Sequence, residues 1–364
     1  MNAPGADRFA GSILPSVQWL RAIAAMMVVV HHTNFHADWM REQAGAVPSA
    51  LSSIPWSFGI HVFFVISGFI MILTTRNFGE PGAWRVFLLR RIIRIVPLYW
   101  ILTSVVVVIL LISPRSVEIV GNKLAYIAGS YFFIPVLRAP DDLRPILGPG
   151  WTLNYEMYFY AAMALATLWP RRLGVAILIG AFLGLSWVGR DLDKSAPILF
   201  AWTDGIILEF LLGIFLGLLY ETGRRIHGAL AVCLILAGTA LAIPEFPLPA
   251  VFSAGVPAVM IVAGFVLCPP LKDTMATGWL THLGNASYSI YLSHILVLRP
   301  FRDVWVRMVD GPWSPLLFLC GGVVLSAAVG CLIHHFVERP VTRYLNQRVR
   351  ARANTAPLVA ASTA

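Results

Sequence analysis

The sequence is short of charge. Only 12% of its 364 residues are Asp, Glu, Lys or Arg, where soluble domains carry roughly 25%. With 58% hydrophobic residues there is too little polar surface for an ordinary water-soluble domain. Cysteine is scarce too. Cys233, Cys268, Cys320 and Cys331 stand singly in or beside apolar stretches, at spacings that match no zinc motif, so neither a structural metal site nor a disulfide framework is expected. No repeat of solenoid or propeller period is present, and no low-complexity tract beyond the Ala-rich end. The first apolar run does not read as a removable leader, because Arg21 lies inside it, histidines follow it and no small-residue cleavage site is near. The excess of 27 basic over 18 acidic residues, a net charge of +9, does not point to nucleic acid. In a chain of mean hydropathy +0.76 it is what basic cytoplasmic loops produce.

What is present is a series of apolar runs. They predict an all-α, polytopic membrane bundle of about ten transmembrane helices, near 17–34, 55–75, 95–112, 151–169, 173–189, 198–220, 229–243, 251–268, 280–298 and 315–336. An eleventh candidate, 123–136, is short, begins with Lys123 and ends at Pro135. If it does not span, and the N-terminus is cytoplasmic, about sixteen basic side chains lie inside and ten outside, the direction of the positive-inside rule. If it spans, the two sides become equal. The segment is therefore expected to be an interfacial or re-entrant helix on the outer side, with both termini cytoplasmic. Residues 1–346 form one membrane-embedded domain, and 347–364 are expected to be a disordered cytoplasmic tail.

Several of these runs carry ionisable groups at membrane depth, where such groups are costly and face a protein interior or a cavity. Ser16–His32 holds Arg21 and, ten residues on, His31 with His32 beside it. Ten residues are about 15 Å along a helix, with the two side chains some 80° apart. Phe58–Met71 contains His61, Ser67 and Gly68. Phe87–Trp100 contains Arg90, Arg91 and Arg94, a positive-inside anchor by spacing alone, or an anion site because guanidinium forks match phosphate oxygens. Gly150–Tyr160 has Trp151, an aromatic series and Glu156, whose helix offers it no basic neighbour. Counted from assumed span ends, His31, His61 and Glu156 come level, so Glu156 is expected to pair with an imidazole. The ninth run is unusually polar, with Ser287, Tyr288, Ser289, Tyr291, Ser293 and His294. The tenth closes on HHFVERP, where Glu338 is placed to meet the arginines.

Together, LRAIAAMMVVVHH, GIHVFFVISGF, FLLRRIIRIVPLYW, GWTLNYEMYFY, LGNASYSIYLSH and FVERP resemble the membrane-bound acyltransferase family 3, sugar O-acyltransferases of bacterial envelopes. The pieces stand in the family's order over nearly the whole chain, and the wording is closest to its exopolysaccharide acetyltransferases. One departure is His61, where many members have an acidic residue. Some members also carry a fused esterase-like extracytoplasmic domain, which is not expected here.

The resemblance implies a multi-pass enzyme of the bacterial inner membrane. It would move an acyl group, usually acetyl, from cytoplasmic acyl-CoA to a hydroxyl of an exopolysaccharide or polyprenyl-linked sugar, with no bound cofactor. Arg21 and His31 match its functional arginine–histidine pair, and Arg91 and Arg94 its arginine pair, with Arg90 beside them. The expected roles are His31 as base, with Arg21 and Glu156 completing the catalytic group; Arg90, Arg91 and Arg94 on the donor's phosphates; and His32, His61, Ser67, Trp151, Tyr288 and His294 lining the acceptor's path. A succinyl donor fits the same residues. A transporter or flippase of lipid-linked sugars would also need a polar cavity, but matched broken helices, common in transporters, are not visible. A non-catalytic assembly or sensing protein would not need so many ionisable groups in its spans.

Overall fold

The computed structural model describes residues 14–113, 119, 122–140, 142–193, 195–244, 247–269 and 274–361, with the side chains of the last helix given to Val349 and at Ala351. Among these residues the chain is helical, with no strand and one isolated bridge between Ala139 and Asp142. The helices are α1 Pro15–Gln43, α2 Gly59–Thr74, α3 Ala83–Ile112, α4 Lys123–Tyr131, α5 Trp151–Ala166, α6 Arg171–Val188, α7 Pro197–Thr203, α8 Leu208–Glu221, α9 Gly228–Ala242, α10 Val256–Leu267, α11 Met275–Met308, α12 Ser314–Ile333 and α13 Arg339–Ala361. A helix underlies each of the ten predicted runs. Among the described residues, five stretches are long and apolar enough to cross a membrane: Trp56–Thr74, Ala83–Ile112, Arg171–Asp191, Pro197–Glu221 and Ser314–Val349. Gly228–Ala242 and Val251–Leu267 are shorter apolar helices. Of the basic residues behind the charge count, Arg8, Arg115, Lys194 and Lys272 lie outside the described residues.

Three helices are longer than their apolar cores predict. Pro15 opens α1 at a position where its missing N–H costs nothing, and no breaker follows until Gly45. The helix therefore continues past His32 for three further turns. There a polar cluster holds the next loop: Asn34 and Arg41 each donate to Asp38 at 2.9 Å, and the Ser49 backbone N–H does so at 2.8 Å. α3 starts at Ala83 rather than near 95, so its arginines sit in its early turns, and Pro97 lies inside the helix. α11 begins with a Thr274 capping box and runs 34 residues through Pro300. The boundary expected at 346 falls inside α13.

The helix α4 has nine residues, about 13 Å, too short to cross a bilayer. It tucks against the middle of α3. Tyr99 donates to the Ser130 carbonyl at 2.8 Å and Trp100 to the Tyr131 carbonyl at 2.9 Å, so its C-terminal carbonyls are satisfied inside the protein, as irregular backbone at that depth requires.

α2 and α8 pack along glycine. A Cβ at Gly68 would lie 2.9 Å from the Phe210 carbonyl carbon and 3.0 Å from the Ile214 nitrogen; one at Gly213 would lie 2.8 Å from the Phe69 nitrogen. Without side chains there the two backbones come into direct contact, the usual route to tight association where water drives nothing. This seam, with α1 and α11, forms the centre. Large apolar side chains of α6 and α9, among them Leu183, Trp187, Val232 and Leu236, face outward, a surface that needs a lipid cover.

Candidate active site

Five helices close on one cavity. It is lined by Arg21 from α1, Ser67 from α2, Arg91 and Arg94 from α3, Glu156 and Tyr160 from α5, and Tyr288 and Tyr291 from α11, with Ile60, Phe63, Phe64 and Met71 as apolar wall. The electrostatics favour an anion, because three guanidiniums face one carboxylate. Arg21 is 8% exposed and donates only to Gln18 Oε1, at 3.3 Å. Arg94, Glu156, Tyr160 and Glu338 are within electrostatic range of it. Arg91 lies over the rings of Phe87 and Tyr160 and donates through Nη2 to Thr74 Oγ1 at 2.9 Å. Its buried Nε has no partner. Among the described residues, no carboxylate lies within ion-pair distance of Arg21, Arg91 or Arg94.

The expectation for Glu156 fails in its partner. Its Oε1 accepts from Ser67 Oγ at 2.9 Å and from the Tyr160 hydroxyl, not from an imidazole. Ser67 is six residues along α2 from His61, about 9 Å, so Glu156 is level with the arginines and not with the histidines. α5 does begin at Trp151, but that start lies deeper than the start of α2, and the early turns of α3 that carry the arginines reach the same depth. Tyr288 does close the cavity from α11, donating to the Ile95 carbonyl at 2.7 Å.

The histidines lie outside this cavity. His31 is exposed, with its ring edge-on to His32 at 5.0 Å. His32 turns inward. Its Nδ1 is 3.0 Å from the Val28 carbonyl and 3.4 Å from His294 Nε2. His294, fully buried, has its Nδ1 2.7 Å from the Tyr291 carbonyl. A carbonyl only accepts, so both Nδ1 atoms carry hydrogen. His294 Nε2 is then the acceptor facing His32, and His32 Nε2 keeps a lone pair. Tyr291 links the two regions, since it lines the cavity and its ring is 6.2 Å from that of His294. His294 therefore stands behind the cavity wall and does not line it.

Three further residues depart from expectation. His61 neither lines the cavity nor meets Glu156. Its Nδ1 donates to Glu209 Oε1 at 2.7 Å, with the Glu209 side chain 0% exposed and its Oε2 unpartnered. Glu209 escaped sequence reasoning although the signal existed, since it is an ionisable group inside the 198–220 run. Arg90 points away from Arg91 and lines a groove between α3 and α13 with Arg343, Asn346 and Gln347. Glu338 bonds Ser289 at 2.6 Å and His334 at 2.8 Å, not the arginines.

Trp151 lies in a second cup, on the other side of α5. The cup is lined by Asp142, Leu143 and Arg144 of the preceding loop, Trp151, Asn154 and Tyr155 of α5, and Ala201 and Trp202 of α7. The alternation is helical, so that Trp151, Asn154 and Tyr155 face the cup while Thr152, Leu153 and Glu156 face the cavity. Burial opposes the Asp142 charge, but the Arg144 fork, at 2.9 Å on both oxygens, outweighs it and holds the carboxyl below its ordinary range. Arg144 is also within electrostatic range of His32. Among the described residues no cluster of three or more metal-binding side chains occurs.

Residues 14–335 match the model of an acyltransferase domain family. The exopolysaccharide production protein ExoZ of Rhizobium meliloti is 32% identical over 309 residues, 82% of this chain and 92% of that protein. The acyltransferase MdmB of Streptomyces mycarofaciens is 25% identical over 92% of this chain and 93% of its own length. The peptidoglycan O-acetyltransferase OatA of Listeria monocytogenes is 21% identical over 92% of this chain but only 57% of its own. No solved structure matches the chain.

Proposed function

The chain belongs to this acyltransferase family, and we propose that it is an O-acyltransferase of the bacterial inner membrane. It takes an acyl group, acetyl first, from cytoplasmic acyl-CoA and places it on a hydroxyl of an exopolysaccharide or lipid-linked glycan. The observation that carries the donor half is the buried, unpartnered Nε of Arg91 in a cavity that also holds Arg21 and Arg94. Guanidinium forks without carboxylate partners suit phosphate oxygens. With ten spans and cytoplasmic termini, the arginines face the cytoplasm, where acyl-CoA is made, and the loop before α5 faces outward.

The reaction breaks the sugar O–H and the thioester C–S bonds and forms an ester C–O bond. The proton ends on the departing sulfur. A base near neutrality is needed, and imidazole supplies it. His31 lies ten residues beyond Arg21 on one unbroken helix, about 15 Å. An extended pantetheine arm is of that order, so phosphates held at Arg91 and Arg94 leave the thioester near the histidines. Glu156, fixed by Ser67 and Tyr160, offsets the arginines' charge across the cavity without pairing with any of them. A second reading makes His32 the base, favoured by its fixed Nδ1 hydrogen and bare Nε2.

The test uses purified protein in lipid nanodiscs with radiolabelled acetyl-CoA and surface polysaccharide from a deletion strain, stripped of esters by mild base. Label transferred to polysaccharide, and ester groups missing from the deletion strain, are the expected results. Transport of lipid-linked sugar without any acyl transfer would refute the reading.

A further inference from the structure

The cup on the far side of α5 contains two polar groups that the protein leaves unpaired. Asn154 is 4% exposed, and its Oδ1 has no partner. The indole Nε1 of Trp202 is likewise buried and unpartnered. One is an acceptor and the other a donor, and each costs free energy while it stays unpaired. The rings around them are fixed. Trp202 stacks on Tyr158 at 5.2 Å, Tyr158 stacks on Phe182 at 5.6 Å, and Trp151 meets Tyr155 edge-on at 5.9 Å. The rim is set by the Asp142–Arg144 fork.

We infer that this cup is the acceptor's sugar-binding subsite, recognising one pyranose unit of the glycan. A hydroxyl can donate to an amide oxygen and can accept from an indole N–H, so hydroxyls match both groups. A pyranose offers several of them around an apolar face that lies flat on an aromatic ring, and rigid Trp and Tyr side chains give such contact area at little entropic cost. The position suits the reaction as well. Trp151 and Asn154 alternate on α5 with Thr152 and Glu156 of the donor cavity, and Arg144 at the rim is within electrostatic range of His32. A glycan held here therefore presents its neighbouring hydroxyls at the histidine end of the donor's reach. The inference rests on the acyl-transfer reading above.

The experiment compares wild type with Trp202→Phe, which keeps a flat ring and removes the N–H, and Asn154→Leu, which removes the amide. Two rates are read in nanodiscs: hydrolysis of acetyl-CoA without acceptor, and transfer to the base-stripped polysaccharide. Each variant is expected to raise the KM for polysaccharide about fivefold to tenfold, the loss of one neutral hydrogen bond, with hydrolysis unchanged within about twofold. Transfer kinetics equal to wild type in both variants would overturn the cup as a subsite and leave acyl transfer standing. Equal loss of hydrolysis and transfer in monodisperse Trp202→Phe protein would also overturn it, because the cup would then serve the donor. If wild type itself neither hydrolyses acetyl-CoA nor acylates polysaccharide, the functional reading falls and takes this inference with it.

Discussion

Replacing Arg91 by Gln isolates what the cavity does. The substitution keeps a neutral polar side chain, two atoms shorter, and removes the charge and the guanidinium fork, including the Nε that lies buried without a partner. A charge-assisted hydrogen bond is worth roughly 1.5–3 kcal/mol, so loss of one phosphate contact raises the donor's KM by about 10- to 100-fold. Arg94 lines the same cavity. If both meet the same phosphate group, the double Gln variant loses less than the product of the two single effects. Lys at 91 restores charge but not planar two-point contact, and recovers only part of the loss. Because phosphates lie far from the reacting carbon, kcat stays close to wild type. Salt gives an independent check. Wild-type KM rises with ionic strength as screening shortens to about 10 Å at 0.1 M, and the dependence flattens in the Gln variants. Steady-state kinetics with acetyl-CoA, on protein shown to insert and stay monodisperse, measure all of this. An unchanged KM in the double Gln variant refutes the phosphate assignment and leaves the arginines as topology anchors. A fall in kcat at constant KM refutes it differently, by placing the guanidiniums at the reacting carbonyl.

Three other outcomes are expected. His31→Ala abolishes transfer while His32→Ala weakens it if His31 is the base, and the reverse order in single-turnover acyl transfer assigns the role to His32. His61→Ala strands the buried Glu209 carboxyl and lowers stability by about 3–5 kcal/mol, whereas His61→Leu with Glu209→Leu recovers most of it; thermal unfolding in detergent reads the difference, and equal Tm values for the single and double variants would contradict a stranded carboxyl there. Gly68→Ala drives a methyl into the Phe210 backbone, which cannot rotate aside, and destabilises by about 1–3 kcal/mol; an unchanged Tm would mean that α2 and α8 separate at little cost.

The ionisable residues at membrane depth were legible because their cost is general. Arg21, Arg91, Arg94, Glu156, Ser67 and Tyr288 do meet in one cavity. Their heights were not legible, since height was counted from assumed span ends. α3 begins twelve residues before the predicted run, at Ala83, which carries its arginines inside the bundle and level with Glu156. Partner choice was hidden for a related reason. Arg90 and Arg91 are adjacent in sequence but 100° apart on a helix, and only the packing of α5 on one side of α3 and α13 on the other sends one to the cavity and one to the groove. Arg94 lies between them in direction and lines the cavity together with a separate small space beside Pro97 and Glu338.

Three of the five helices that carry the site are hidden by their hydropathy. α1, α5 and α11 are absent from the stretches apolar enough to cross a membrane, yet they supply Arg21, Glu156 and Tyr288. Each spends its polar residues inward. Gln18, Arg21, Thr33 and Asn34 of α1 are buried, as are Thr152 and Asn154 of α5 and Ser287, Ser289, Ser293 and His294 of α11. A hydropathy average cannot tell an inward hydroxyl from an outward one, so it discounts a helix whose polar residues are spread along the span, whereas α3 keeps its arginines near one end and still reads as apolar. α6 carries none of these groups, faces outward with Leu183 and Trp187, and reads plainly as a span. In a bundle of this kind, a segment of middling hydropathy with several Ser, Tyr, His or Arg residues is therefore a better pointer to the active site than to a loop. By the same argument, substituting Ser289 with Leu would raise the apparent hydropathy of α11 while crowding a fully buried position and removing its hydrogen bond to Glu338, and would weaken the protein rather than anchor it.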